Sequence, residues 1–137
     1  MKKILLVAFI FIACISIVNA QLSPGSNFNL TDSLLAVNNT QDNAKKIDIL
    51  FNVAKKFAFS QGDTAIKYLK LAEDIAIKSK NERSLFKVYF GISVTYNQTL
   101  GNYPLGLHFA TEQLKLGKKL NLPDSVMKDA YSLALRY

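Results

Sequence analysis

Leu50-Phe51-Asn52-Val53-Ala54-Lys55-Lys56-Phe57 is the stretch that decides the fold. Its skeleton, Leu50-x2-Val53-Ala54-x2-Phe57, returns as Tyr89-x2-Ile92-Ser93-x2-Tyr96 and again as Ala130-x2-Leu133-Ala134-x2-Tyr137. Each copy places a large or apolar residue, a large apolar one, a small one and an aromatic on one helical face. The copies lie 39 and 41 residues apart. A repeat of that period marks an array of helical units that bury their apolar faces against neighbours. The fold class is therefore all-α. Tyr137 is the last residue and falls at the end of the first helix of a third unit, so the chain is expected to carry a truncated array.

Working outward from the first copy, Ile47, Leu50, Phe51, Ala54, Phe57 and Ala58 follow i, i+3, i+4, i+7 spacing from Ala44 onward. Ser60-Gln61-Gly62-Asp63 ends that helix with a glycine and opens the next with an acid. The second helix carries Ala65, Ile66, Leu69, Ala72, Ile75 and Ala76 on one side. Asn81 interrupts, and a third helix follows from about Glu82 to Asn97. Gly101-Asn102-Tyr103-Pro104 is the next turn, with Pro104 suited to a first helical turn. A fourth helix holds Leu105, Leu107, Phe109, Ala110, Leu114 and Leu120, and a fifth starts near Ser125. Before the array, Thr31-Asp32-Ser33 offers caps for a short helix through Leu34, Leu35 and Val37, and Asn38 to Asn43 reads as a polar break. No window alternates with period two, so no sheet is expected.

The N-terminus addresses compartment. Lys2 and Lys3 precede the uncharged apolar run Ile4 to Val18, and Val18-Asn19-Ala20 supplies a cleavage pattern. That is the layout of a secretory signal peptide. The run has 15 residues, short of the roughly 20 that span a membrane. The expected organisation is a signal peptide at 1–20, a polar leader with a short helix at 21–43, and repeats at 44–137, in units of about 44–81, 82–121 and 122–137. The protein is expected to be exported to the periplasm or beyond, or to form the extracytoplasmic part of an inner-membrane protein. Cys14 is the only cysteine and leaves with the signal, which excludes a disulfide scaffold.

The formal net charge of +7 falls to +5 without Lys2 and Lys3. The lysines come in scattered pairs (Lys45-Lys46, Lys55-Lys56, Lys118-Lys119) mixed with acids, which reads as solvated helix faces and not as a nucleic-acid stripe. Catalysis has little support. His108 is the single histidine, and it aligns with Lys67 of the first unit on a solvent-facing position. Glu73 and Asp74 diverge by about 100° around a helix and cannot serve one site. There is no phosphate loop, metal-ligand cluster or nucleophile motif. The chain reads as a non-enzyme without cofactor or metal.

The three skeletons resemble tetratricopeptide repeats, whose first helix carries W-x2-L-G-x2-Y and whose second carries small residues at close crossings. The packing positions matched are Leu50, Val53, Ala54 and Phe57, then Tyr89, Ile92, Ser93 and Tyr96, then Ala130, Leu133, Ala134 and Tyr137. In the second helices, Ala65, Leu69 and Ala72 match, and Gly106, Ala110 and Gln113 hold the equivalent places, with Gln113 departing from the small-residue pattern. The family's period is about 34 residues; here it is 39 and 41, and longer helices account for the excess.

The resemblance implies a stack of antiparallel hairpins in a right-handed α-solenoid, and a groove lined by first-helix residues. Carried over, those are Asp48, Phe51, Lys55, Ala58 and Phe59, then Lys87, Phe90, Val94, Asn97 and Gln98, then Lys128, Tyr131 and Leu135. Phe51, Phe90 and Tyr131 would form a column on the concave face, either anchoring a partner or packing on one another. A protein or peptide partner is implied, with self-association through an uncovered last helix as a second possibility. The Lys and Asn that grip acidic chaperone tails in one subfamily are replaced here by Phe51 and Lys55. The layout also resembles the exported N-terminal half of bacterial sensor kinases or regulators, in which such repeats precede a membrane helix and a signalling module.

Overall fold

The computed structural model describes residues 29–135, and every regular element among them is a helix. Six follow in order: α1 Leu30–Asn39, α2 Asn43–Phe57, α3 Gly62–Lys78, α4 Glu82–Gln98, α5 Tyr103–Lys119 and α6 Asp124–Ala134. The expected signal peptide at 1–20, residues 21–28 of the expected leader, and residues 136–137 with Tyr137 lie outside the described residues.

Short polar side chains set the helix starts. The Asp42 carboxylate accepts from the N–H groups of Ala44 (2.9 Å) and Lys45 (3.3 Å). Asn81 accepts from Ser84 N–H at 3.0 Å, and Asn102 from Leu105 N–H at 3.2 Å. Each satisfies an amide that the first helical turn leaves unpaired. Pro104 sits in the first turn of α5 as expected.

Two boundaries differ from expectation. Asn29, not the Thr31-Asp32-Ser33 group, caps α1, accepting from Thr31 N–H at 2.9 Å, so the helix starts earlier. It also runs through Asn38 and Asn39, which shortens the polar break to 40–42. Gly62 does not end α2. It is the first residue of α3, and a Cβ there would come 2.8 Å from Leu100 of the next unit. The glycine answers a tight contact between units.

Packing is between neighbours. Each helix touches the one before it, and in addition α2 touches α4 and α4 touches α6. The backbones of α3 and α5 stay apart, but the Lys70 ammonium of α3 lies 4.4 Å from the centroid of the Phe109 ring of α5. α2, α4 and α6 thus form one contiguous layer, with α3 and α5 behind it.

The predicted packing positions Leu50, Val53, Ala54, Ala65, Leu69, Ala72, Ile92, Ser93, Gly106, Ala110, Ala130 and Leu133 are all buried. Phe57, Tyr89, Tyr96 and Ala134 are half-buried. The units also repeat in three dimensions. Phe57 stacks on Tyr68 with ring centroids 6.1 Å apart, and one period later Tyr96 stacks on Phe109, again at 6.1 Å. The turn after each second helix recurs as well. Lys80 and Asn121 both take left-handed φ (54° and 51°), and Asn81 N–H to Ala76 C=O is matched by Leu122 N–H to Gly117 C=O.

A second column of equivalent residues, Ile47, Phe86 and Met127, is buried at 0, 8 and 4 % exposure. Gly117 is small because Phe86 and Met127 both press on it: a Cβ there would lie 2.9 Å from Phe86 Cε2 and 2.6 Å from Met127 Sδ.

Candidate functional site

The face made by α2 and α4 holds a pocket of about 220 Å³. Phe51, Ala54, Lys55, Ala58 and Phe59 line it from α2 and the turn that follows. Phe90, Gly91, Val94 and Thr95 line it from α4, and Leu69 of α3 reaches it from behind. Six of the thirteen residues carried over as groove positions, Phe51, Lys55, Ala58, Phe59, Phe90 and Val94, therefore meet in one place.

Helical spacing explains the gathering. Phe51, Lys55 and Ala58 share one stripe of α2, and Phe90 and Val94 share one stripe of α4. Contact between the two helices turns the stripes into opposite walls. Gly91 lets α4 come close. A Cβ there would lie 2.9 Å from both Phe51 Cε2 and Leu69 Cδ2. The Thr95 hydroxyl has no donor left for a ligand, because it donates to the Gly91 carbonyl at 2.8 Å. The walls are apolar, with Lys55 as the only ionisable lining residue. Phe59 is 77 % exposed, a large apolar surface at the pocket edge that the fold leaves uncovered.

Beside the pocket the two units are laced together. Lys87 of α4 pairs with Asp48 of α2 at 2.7 Å, and its ammonium lies 4.6 Å from the centroid of the Phe51 ring. Asp48 and Lys87 occupy equivalent positions one period apart, so the ion pair joins the same place on successive first helices. At the far end of the pocket, the Thr99 hydroxyl donates to the Ala58 carbonyl.

The remaining candidates are elsewhere. Tyr131 and Leu135 line a separate shallow groove on α6 with Asp124, Ser125, Lys128 and Ser132. Asn97 is a correction: it is only 7 % exposed and points toward α5, where its carboxamide fills the space a Cβ on Gly106 would need. Its Oδ1 and Nδ2 make no hydrogen bond to the described residues. Ser93 supports the same crossing by donating to the Gly106 carbonyl at 2.8 Å. Gln113, the departure from the small-residue pattern, is 2 % exposed, and its Oε1 is likewise without a partner among the described residues.

Sequence reasoning missed Gly91, Leu69 and Thr95 as pocket residues. Gly91 carries a legible signal, since a glycine inside an apolar helical stripe marks a close approach.

Elsewhere, His108 is exposed and sits edge-on to Phe109 with centroids 5.1 Å apart. Glu73 pairs with Lys70 at 2.7 Å. Tyr89 is pushed above its ordinary pKa, first by burial and then by the charges of Glu73 and Glu112. The described residues contain no group of three metal-ligating side chains and no helix long and apolar enough to cross a membrane.

Compared with protein-family models, curated proteins and solved structures, the chain matches none. What the fold and the site define is an all-helical protein with an apolar pocket between α2 and α4.

Proposed function

We propose that this chain is a non-enzymatic protein-interaction module, a right-handed stack of tetratricopeptide-like hairpins that receives a segment of a partner protein on the layer formed by α2, α4 and α6. One observation carries the reading. Equivalent first-helix positions of two units, Phe51 with Lys55 and Phe90 with Val94, converge on a single apolar pocket edged by the exposed Phe59. Rigid aromatic anchors around a concave apolar site are what protein recognition uses. The recurrence of the ring stack and of the left-handed turn one period apart supports the repeat assignment. The basic, apolar and small-residue order of residues 2–20 supports export, with Gln21 as the mature N-terminus.

Site-specific photocrosslinking tests the interaction. A photoreactive residue at Val94 should capture a defined protein in cells, and the same residue at exposed Lys118 of α5 should not. Equal capture from both positions, or none from Val94, overturns the reading.

A further inference from the structure

We infer that the α2/α4 pocket takes one bulky apolar side chain from an acidic segment of the partner, with a carboxylate of that segment meeting Lys55. The inference rests on the interaction reading above and adds the chemistry of the occupant.

Volume points to a side chain. Pockets for small molecules run from about 300 to 1,000 Å³. At about 220 Å³ this one is smaller, and it is open on the side where Phe59 is exposed. It is suited to an anchor residue whose backbone stays outside. Apart from Lys55 the walls offer that anchor no free hydrogen-bond donor, since the Thr95 hydroxyl donates to Gly91. The anchor is therefore Leu, Met or Phe, and not a residue with a buried polar end.

Charge gives the rest. Four charged side chains were placed on this face: Asp48, Lys55, Lys87 and Lys128. Asp48 and Lys87 neutralise each other at 2.7 Å. Lys128 shares its groove with Asp124. Lys55 is exposed, lines the pocket and has no ion-pair partner among the described residues. The pocket thus presents one uncompensated positive charge beside an apolar hole. The same sign argues against a second copy of this chain as occupant, because each copy keeps a formal +5 even without Lys2 and Lys3 and the two repel.

Three labelled synthetic peptides with the same central Leu-Phe pair test this by fluorescence anisotropy against the full chain. Their flanks are Asp/Glu, Ser/Gln or Lys. The acidic peptide should bind roughly tenfold more tightly than the lysine peptide at low salt, with the neutral one between, since attraction is exchanged for repulsion of similar size. The spread should collapse at 1 M salt. Lys55→Glu should reverse the order. Phe59→Ala, at a position too exposed to disturb folding, should weaken all three. Equal binding of the three peptides, or an unchanged order in Lys55→Glu, overturns the acidic assignment while leaving the interaction reading standing. Failure of all three to bind overturns the assignment, and the Val94 crosslink then judges the interaction reading separately. A concentration-dependent dimer abolished by Phe59→Ala would give the pocket to a second copy and also overturn it.

Discussion

At single residues, the clearest consequence lies where Asn97 meets Gly106. Gly106→Ala must displace the Asn97 carboxamide from a buried place. Overpacking of this kind costs about 1–3 kcal/mol. Asn97→Ala removes an amide that has no protein partner among the described residues, so it should change stability by less than about 1 kcal/mol. Combining the two should recover most of the loss. Denaturant melts of the four proteins give the cycle, and strictly additive effects would mean the two residues do not touch in solution. Tyr89 supplies a pH test. Its raised pKa means the folded chain holds that proton more tightly than the unfolded chain. The stabilisation is complete below the ordinary tyrosine pKa of about 10 and is lost as pH rises through the higher folded value. An ultraviolet titration should show a late phenol that Tyr89→Phe removes. These residues also show where the sequence was legible. Ala54 and Ala65 could be read as close crossings because their smallness repeats at Ser93 and Gly106. Asn97 could not be read as buried, because an amide at a groove-facing spacing looks like a surface residue until Gly106 is seen opposite it.

Among the elements, helix existence was readable and helix ends less so. The apolar skeletons of α2, α4 and α6 follow directly from 3.6-residue periodicity. The start of α1 did not, because Asn29 and the Thr31-Asp32-Ser33 group are all competent caps and only the structure chooses between them. The role of Gly62 was hidden for a related reason: a glycine between two helices reads as a stop, whereas here it admits Leu100 from the following unit. The aromatic partners Tyr68 and Phe109 were absent from the expected packing set, yet their equivalence to one another was available from the period. The turn after each second helix carries an element-level prediction. Lys80 adopts φ 54°, a conformation that costs a residue with a Cβ about 1–2 kcal/mol relative to glycine. Lys80→Gly should raise stability by about 0.5–1 kcal/mol after the added freedom of the unfolded chain is deducted. Asn121→Gly, at the same place one unit later, should be closer to neutral because asparagine tolerates this conformation. Thermal melts compare the pair, and a larger gain at Asn121 would count against the shared geometry of the two turns.

For the whole molecule, the decisive fact is that backbone contacts among the described helices run between adjacent elements and within the layer of α2, α4 and α6. α2 and α6 do not touch. If the helices form the proposed array of repeated units, stability is a sum of unit and interface contributions and damage stays local. The equivalent buried residues Ile47, Phe86 and Met127 make this testable, because they place the same kind of substitution in three units. Met127→Ala removes a contact with Gly117 of α5 at the C-terminal side. Amide exchange should then quicken in α5 and α6 and remain nearly unchanged in α2 and α3. Ile47→Ala should do the reverse, loosening α1 to α3 and sparing α6. Phe86→Ala stands between them. It empties the space of a ring that packs against α5 and lies beside Met127 of α6, at a cost of about 3–5 kcal/mol. Because α4 joins the two sides, its loss should quicken exchange across α4 to α6 and reach α2 and α3 more than Met127→Ala does. Hydrogen exchange read helix by helix separates these patterns. If all three substitutions lower protection uniformly from α2 to α6, the chain unfolds as one cooperative body, and the description of independent repeated units would have to be abandoned.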